Sequence, residues 1–325
     1  MKSDLIWWIA TGVLFGLLAS HLMWGSTAIS LVEALTGRDE TGQLILREVR
    51  LPRVLTAMAA GAGLSVSGLL LQTWFGNPLA GPSVLGVSSG AGMGVALAVL
   101  LPMGVGWLTI TASAIIGSAL VLVAVALVAN RFQQTAALLV FGLMLNYVIG
   151  ALITVLQAES AADSLQHFIF WGMGTFGQVP LKVACGLLCM VLVGLGWAWR
   201  LNTSLDTWTL GDYTAQSMGL ERNRFRWSIL AIAGVITGGI TATCGPVAFL
   251  GLATPHVVRM FAKGRSHRFL IPMTALTGAI IALLADWGVK GGYGMDTGWP
   301  LNAVLSLIGG PMVVWVLVKK GMSAS

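Results

Sequence analysis

Apolar runs dominate the chain, and its polar residues fall mainly between them. Windows of about 19 residues give ten apolar segments, near 5–25, 54–75, 84–101, 107–129, 138–157, 181–199, 228–243, 247–261, 269–289 and 300–318. Segments of that length predict helices that cross a bilayer at ~1.5 Å per residue. The first follows Lys2 as a secretion signal would, but it continues through Leu22, Met23 and Trp24. An uncleaved first helix is therefore expected. Ten is an even number, so both chain ends should lie on one side.

Composition agrees with the pattern. Charged residues are 9% of the 325 and hydrophobic residues 56%, against roughly 25% charged in a soluble domain. The expected fold is an all-α integral membrane protein of about ten transmembrane helices, one domain over 1–325. Lys+Arg 18 against Asp+Glu 12 gives a net +6. In a membrane protein such an excess reports orientation rather than nucleic-acid binding. With the N-terminus inside, twelve basic residues, from Lys2 and Arg131 to Lys319 and Lys320, fall inside. Six fall outside: Arg38, Arg47, Arg50, Arg53, Lys182 and Lys290. That bias predicts cytoplasmic termini. Cys185, Cys189 and Cys244 form no CxxC pair and read as small apolar fillers.

Glycine sits largely inside the helices. Gly61, Ser65 and Gly68 share one face of the second segment, and Gly90, Gly94 and Ala98 one face of the third. Such spacing lets backbones approach closely in lipid. GAGLSVSG and GAGMG lack the strand and βαβ unit that a dinucleotide fingerprint requires. Asn77, Pro78 and Pro82 precede the third segment, placing irregular backbone at membrane depth, where protein or a cavity must cover it. AGPSVLGVSSG (80–90) echoes CGPVAFLGLATP (244–255). Each precedes a short glycine-rich helix, as an inverted repeat would produce.

Ionisable groups are nearly missing from the segment centres. Asp286 lies near the outer end of the ninth segment, one turn before Lys290, where an i,i+4 pair can hold it. His256 and Arg259, near the inner end of the eighth, fit either packing and headgroup anchoring or a functional role. No GK[ST] occurs, so no P-loop is present. The longest cytoplasmic loop, about 200–227, is too short for an ATPase domain. Energy is expected to enter from a partner.

That loop contains GDYTAQSMGL (211–220), with Gly211, Asp212, Ala215 and Gly219 in the pattern G-[DE]-x-x-A-x-x-x-G. Asp212 is expected to cap a short helix that Gly219 ends. A short cytoplasmic helix between two spans can fit a groove on another subunit; an ordinary solvated loop is the alternative.

Five blocks together resemble the FecCD-type permease family: RLPRVLTAMAAGAGLSVSGLLLQ (50–72), NPLAGPSVLGVSSGAG (77–92), WGMGTFG (171–177), LGDYTAQSMG (210–219) and GPVAFLGLATPHVVR (245–259). Members are membrane subunits of bacterial ABC importers for ferric siderophores, haem and vitamin B12. The resemblance implies a vitamin B12 permease-like, type II importer fold in the bacterial inner membrane. It also implies a non-catalytic chain that pairs with a second permease copy, an ABC ATPase dimer, and a periplasmic or lipid-anchored substrate-binding protein. ATP and Mg would sit on the ATPase, with no cofactor on this chain.

Residue by residue, Gly211, Asp212, Ala215 and Gly219 match the ATPase-docking motif. Arg50 and Arg53 match basic residues that meet glutamates of the binding protein, and Lys290 sits where a further one is expected; anchoring of helix ends is the alternative. Asn77 and Leu79 match the inner constriction, and Thr135 another gate position. Ala253 and Thr254 stand where the family usually has Ile or Val. A ferric siderophore is the expected cargo, then haem or a cobalamin. An ion-coupled secondary transporter is the alternative function.

Overall fold

The structure is a computed structural model. It describes residues 2–321 except 26, 28, 30–32, 34, 35, 37, 38, 102–106, 132–134, 263 and 291–298. Arg38 and Lys263 lie outside the described residues, as do the side chains of Lys2, Arg131, Thr135, Lys319 and Lys320.

Among the described residues the chain is helical, with no strand. In order the helices are α1 (Lys2–Met23), α2 (Glu40–Ile45), α3 (Leu51–Phe75), α4 (Val87–Leu100), α5 (Trp107–Arg131), α6 (Thr135–Glu159), α7 (Ala162–Met173), α8 (Leu181–Arg200), α9 (Asn202–Trp208), α10 (Asp212–Ser217), α11 (Arg222–Cys244), α12 (Leu250–Phe261), α13 (His267–Val289) and α14 (Leu301–Gly321). A π turn, Leu46–Arg50, joins α2 to α3, and a 3₁₀ turn, Pro82–Leu85, precedes α4.

Each of the ten predicted segments is helical. They differ in length, however. Among the described residues seven helices are long and apolar enough to cross a membrane, and the chain is a multi-pass membrane protein. α4 has 14 residues and α12 has 12, about 21 and 18 Å, short of the ~30 Å hydrocarbon layer. Both start near the middle of α3, where the ring of Pro82 and the backbone of Leu64 lie against Gly251. The unwound approaches to these helices therefore meet inside the bundle, around a cavity of about 30 Å³.

Lipid offers no hydrogen bonds to irregular backbone, and two asparagines supply them. Asn146 of α6 donates to the carbonyl of Ser83 (3.0 Å) and accepts from the Ser89 hydroxyl (2.7 Å). Asn302 of α14 donates to Pro246 (2.7 Å) and accepts from the Ala248 N–H (3.0 Å). Each clamp comes from the second helix after the short one. This matching of the two halves is what an inverted repeat requires.

α3 is the buried centre of the bundle. Its Gly61 lies on the Gly278 backbone of α13, its Ser65 hydroxyl donates to Leu250 (3.2 Å), and its Gly68 lies on Gly251 of α12. Gly90 and Gly94 of α4 lie against Gly117 and Ser113 of α5. The small-residue stripes are thus the crossing points of the fold. A methyl group at Gly61 or Gly68 would meet backbone that no rotamer change can move.

Candidate functional site

Three groups of predicted residues fall into separate places. The first is the loop between α8 and α11. Gly211 has φ 105° and Gly219 φ 88°, both in the left-handed region, where a Cβ would be strained. Between them α10 makes one and a half turns. The Gly219 N–H donates to Gln216 (2.9 Å) and the Leu220 N–H to Ala215 (3.0 Å), a Schellman closure that stops the helix at Gly219.

Asp212 does not cap this helix, a correction to the sequence expectation. The backbone angle at the cap position suits glycine, so Gly211 occupies it and Asp212 becomes the first helical residue. Its carboxylate instead accepts from Gln216 Nε2 (2.8 Å) and pairs with Arg222 (3.4 Å). Ala215 is buried beneath the turn, whereas Tyr213 is 90% exposed and Leu210 and Met218 also project outward. The result is a rigid knob with an apolar crown.

The second group is the turn after α3. Asn77 Oδ1 accepts from the Leu79 N–H (2.9 Å), and the Asn77 carbonyl from the Ala80 N–H (3.1 Å). His256 Nε2 donates to the Pro78 carbonyl (2.8 Å). This fixes a tight turn that leaves Leu79 44% exposed at its tip. Thr135 opens α6. His256 is buried and holds the turn, so it is no headgroup anchor. Ala253 and Thr254 are buried in the bundle as well.

The third group lies at the opposite end of α3. Here the expectation of exposed cations is corrected. Arg50 is 4% exposed, and it donates to the carbonyls of Leu22 (2.6 Å) and Thr27 (2.5 Å). The Leu22 carbonyl is among α1's last, which lack helical partners, and Arg50 ties it to the carbonyl of Thr27 beyond the helix end. Arg53 Nε donates to both oxygens of the buried Asp286 (2.9 and 3.0 Å). Lys290 stands farther away at 3.8 Å, and His21 Nε2 is 3.3 Å from the same carboxylate. The i,i+4 pair exists, but Arg53 is the nearer partner. Arg47, which the sequence reading did not single out as a site, has a side chain 73% exposed.

A fourth cluster went unassigned in the sequence. Asp206 of α9 accepts from the backbone N–H of His267 (2.9 Å) and from its Nδ1 (2.6 Å). His267 Nε2 meets the Thr73 hydroxyl (3.0 Å), which accepts from Arg259 (3.3 Å). Arg259 also donates to Gln72 (3.1 Å), and Gln72 to the Leu252 carbonyl (3.2 Å). Beside it the Trp208 indole donates to the Trp74 carbonyl (3.0 Å). Among the described residues no group of His, Cys, Asp and Glu could hold a metal ion.

The sequence matches the model of the FecCD transport family over residues 12–319. It is 33% identical over 321 residues to a vitamin B12 import system permease protein of Shigella boydii serotype 18, covering 98% of this chain and 96% of that protein. It is 34% identical over 280 residues to the corresponding protein of Salmonella paratyphi A, covering 86% and 85%. A solved inward-facing metal-chelate type ABC transporter superposes with a TM-score of 0.87 at 28% identity, covering 97% of this chain and 99% of that one. PsaBC from Streptococcus pneumoniae shares the fold, with a TM-score of 0.54 at 14% identity. The chain belongs to the FecCD transport family.

Proposed function

We propose that this FecCD-family chain is the permease subunit of an ATP-binding-cassette importer that moves a metal chelate across the bacterial inner membrane, with both termini in the cytoplasm. The observation that carries the reading is the knob at Gly211–Gly219. Its backbone is fixed at both ends, yet its apolar crown faces outward, the arrangement expected of a helix that seats in a groove on another subunit. That subunit is an ABC ATPase dimer, which binds ATP and Mg; this chain holds no cofactor.

Leu79 and Asn77 sit at the surface of the single chain, so a second copy is required to close a passage around them. A ring of such residues can seal a pore by dewetting, and Thr135 joins it in this proposal. At the other end lie Arg50, Arg53 and Lys290, with the exposed side chain of Arg47 on the turn before α3. Cations at this end suit acidic side chains on a substrate-binding protein, steering it and setting its register. Similarity to vitamin B12 import permeases and to a metal-chelate type transporter supports a chelate as cargo. A ferric siderophore is the first choice, then haem or a cobalamin.

Proteoliposomes holding the permease dimer, with or without its ATPase and binding protein, test the reading. Uptake of the chelate that co-purifies with the binding protein should require ATP and both partners. Uptake by the permease alone under a proton or sodium gradient would establish the ion-coupled alternative. Asp286 speaks against that alternative, because Arg53 already occupies both oxygens of its carboxylate.

A further inference from the structure

The knob and the constriction turn are separated by an open cleft of about 770 Å³, with Gly211 and Asp212 on one wall and Gly76 and Pro78 on the other. Movement of one cannot push the other by direct packing across that gap. The two sides are joined by the buried Leu205 of α9, by the Trp208 to Trp74 hydrogen bond, and by the polar chain from Asp206 to Arg259, which alone reaches four elements.

With the His267 imidazole neutral, its bonding has a single direction. The guanidinium of Arg259 can only donate, so the Thr73 oxygen accepts there and its one hydrogen is left for His267 Nε2. The Asp206 carboxylate can only accept, so His267 Nδ1 carries the proton. Arg259 therefore donates to Thr73, Thr73 to His267, and His267 to Asp206. Four elements are linked: α12, α3, α13 and α9. Asp206 also receives the first backbone N–H of α13, a group that would otherwise lack a partner, so α9 serves as the cap of a helix it does not belong to. Thr73 stands on the last turn of α3, four residues before Asn77, and Gln72 beside it carries the link to Leu252 at the start of α12.

We propose that this chain transmits movement of the docking loop to the constriction turn, and that His267 is the positioning residue that couples them. The proposal rests on the function given above and assigns its internal linkage. α9 moves with the knob that follows it, and a shift of Asp206 drags the start of α13 and the end of α3 together. Breaking the chain should leave the ATPase turning over while the passage no longer follows.

The test uses the complete transporter in proteoliposomes and reads chelate imported per ATP hydrolysed. Thr73→Val keeps the shape of the side chain and removes its hydroxyl; Thr73→Ser keeps the hydroxyl. We expect Thr73→Val and His267→Gln to lower the ratio about tenfold with ATPase activity held within about twofold, a size found for residues that carry coupling between sites. Thr73→Ser should restore the ratio. Asp206→Asn combined with His267→Gln should be no worse than either alone, as members of one network are not additive. Equal losses of ATPase activity, uptake and assembly, or an unchanged ratio in Thr73→Val, would overturn the linkage. Absence of ATP-driven uptake by the unaltered complex would instead overturn the function on which it rests.

Discussion

At one end of the α3–α13 pair a buried carboxylate on α13, Asp286, is surrounded by Arg53 of α3, His21 of α1 and Lys290. At the other end the carboxylate, Asp206, belongs to neither helix and reaches in from α9. The helices run antiparallel and cross at Gly61 and Gly278, so the two clusters are the two ends of one strut. The first is a lock whose members are fixed by spans. The second is a joint whose central member sits on a short helix in the docking loop. A strut clamped at one end and jointed at the other has its freedom of movement at the jointed end.

The lock should give the largest effect. Asp286→Ala leaves Arg53 and Lys290 buried without their anion, and breaking a buried pair this way costs about 3–5 kcal/mol. Replacing both Asp286 and Arg53 by apolar residues should cost less than the single change, since only the more distant Lys290 is then left without the carboxylate. Unfolding of the purified permease by SDS in mixed micelles measures this. A single variant as stable as the double would show that the cluster is no lock.

The crossing point comes next. A methyl group in Gly61→Ala would press on the Gly278 backbone and the Ala282 side chain. Forcing volume into a packed core costs about 1–3 kcal/mol, and here the upper figure is expected because backbone must yield. A compensating loss of bulk, Ala282→Gly, should recover little, since the Gly278 backbone remains. Full recovery by that second change would place the contact on the side chain alone.

Much of this strut was legible in the sequence, and its ends were not. Lipid demands long apolar helices, so the ten segments showed as hydropathy; close approach demands small residues, so Gly61, Ser65 and Gly68 showed as a stripe. The short helices could be suspected from Pro82 and from the echo of residues 80–90 in 244–255, but the clamps on their approaches, Asn146 and Asn302, are distant in the chain. Local spacing offered Lys290 as the partner of Asp286, while Arg53, 233 residues away, is nearer. Arg50 looked like an exposed cation because nothing local revealed that the end of α1 lies over it. Asp212 looked like a cap because aspartate favours caps; a left-handed angle at the cap position selected Gly211 instead. The joint left least trace, for Asp206 and His267 are 61 residues apart and each alone reads as an ordinary loop or helix-end residue.

The joint itself should respond more weakly than the lock. Asp206→Asn keeps the shape and one accepting oxygen but loses the charge. Hydrogen bonds to charged groups are worth about 1 kcal/mol more than neutral ones, so a loss of about that size is expected, confined to the start of α13 and to α9. Hydrogen exchange should quicken at His267 and its neighbours while the Asp286 end stays protected. Faster exchange at both ends would mean that the strut has one cooperative unit rather than two unlike ends.

The smallest effect separates the two supports of the joint. Trp208→Phe removes the indole N–H that reaches the Trp74 carbonyl and retains a ring against Phe225, 5.2 Å away between centroids. Trp74 borders the open cleft, from which water can replace the donor. A loss near the low end for one hydrogen bond follows, about 0.5 kcal/mol. Comparing Trp208→Phe with Asp206→Asn in the same exchange measurement therefore ranks backbone support against the polar chain. If the tryptophan change loosened α9 more than the aspartate change, the hinge would lie in that indole contact, and His267 would be a bystander to it.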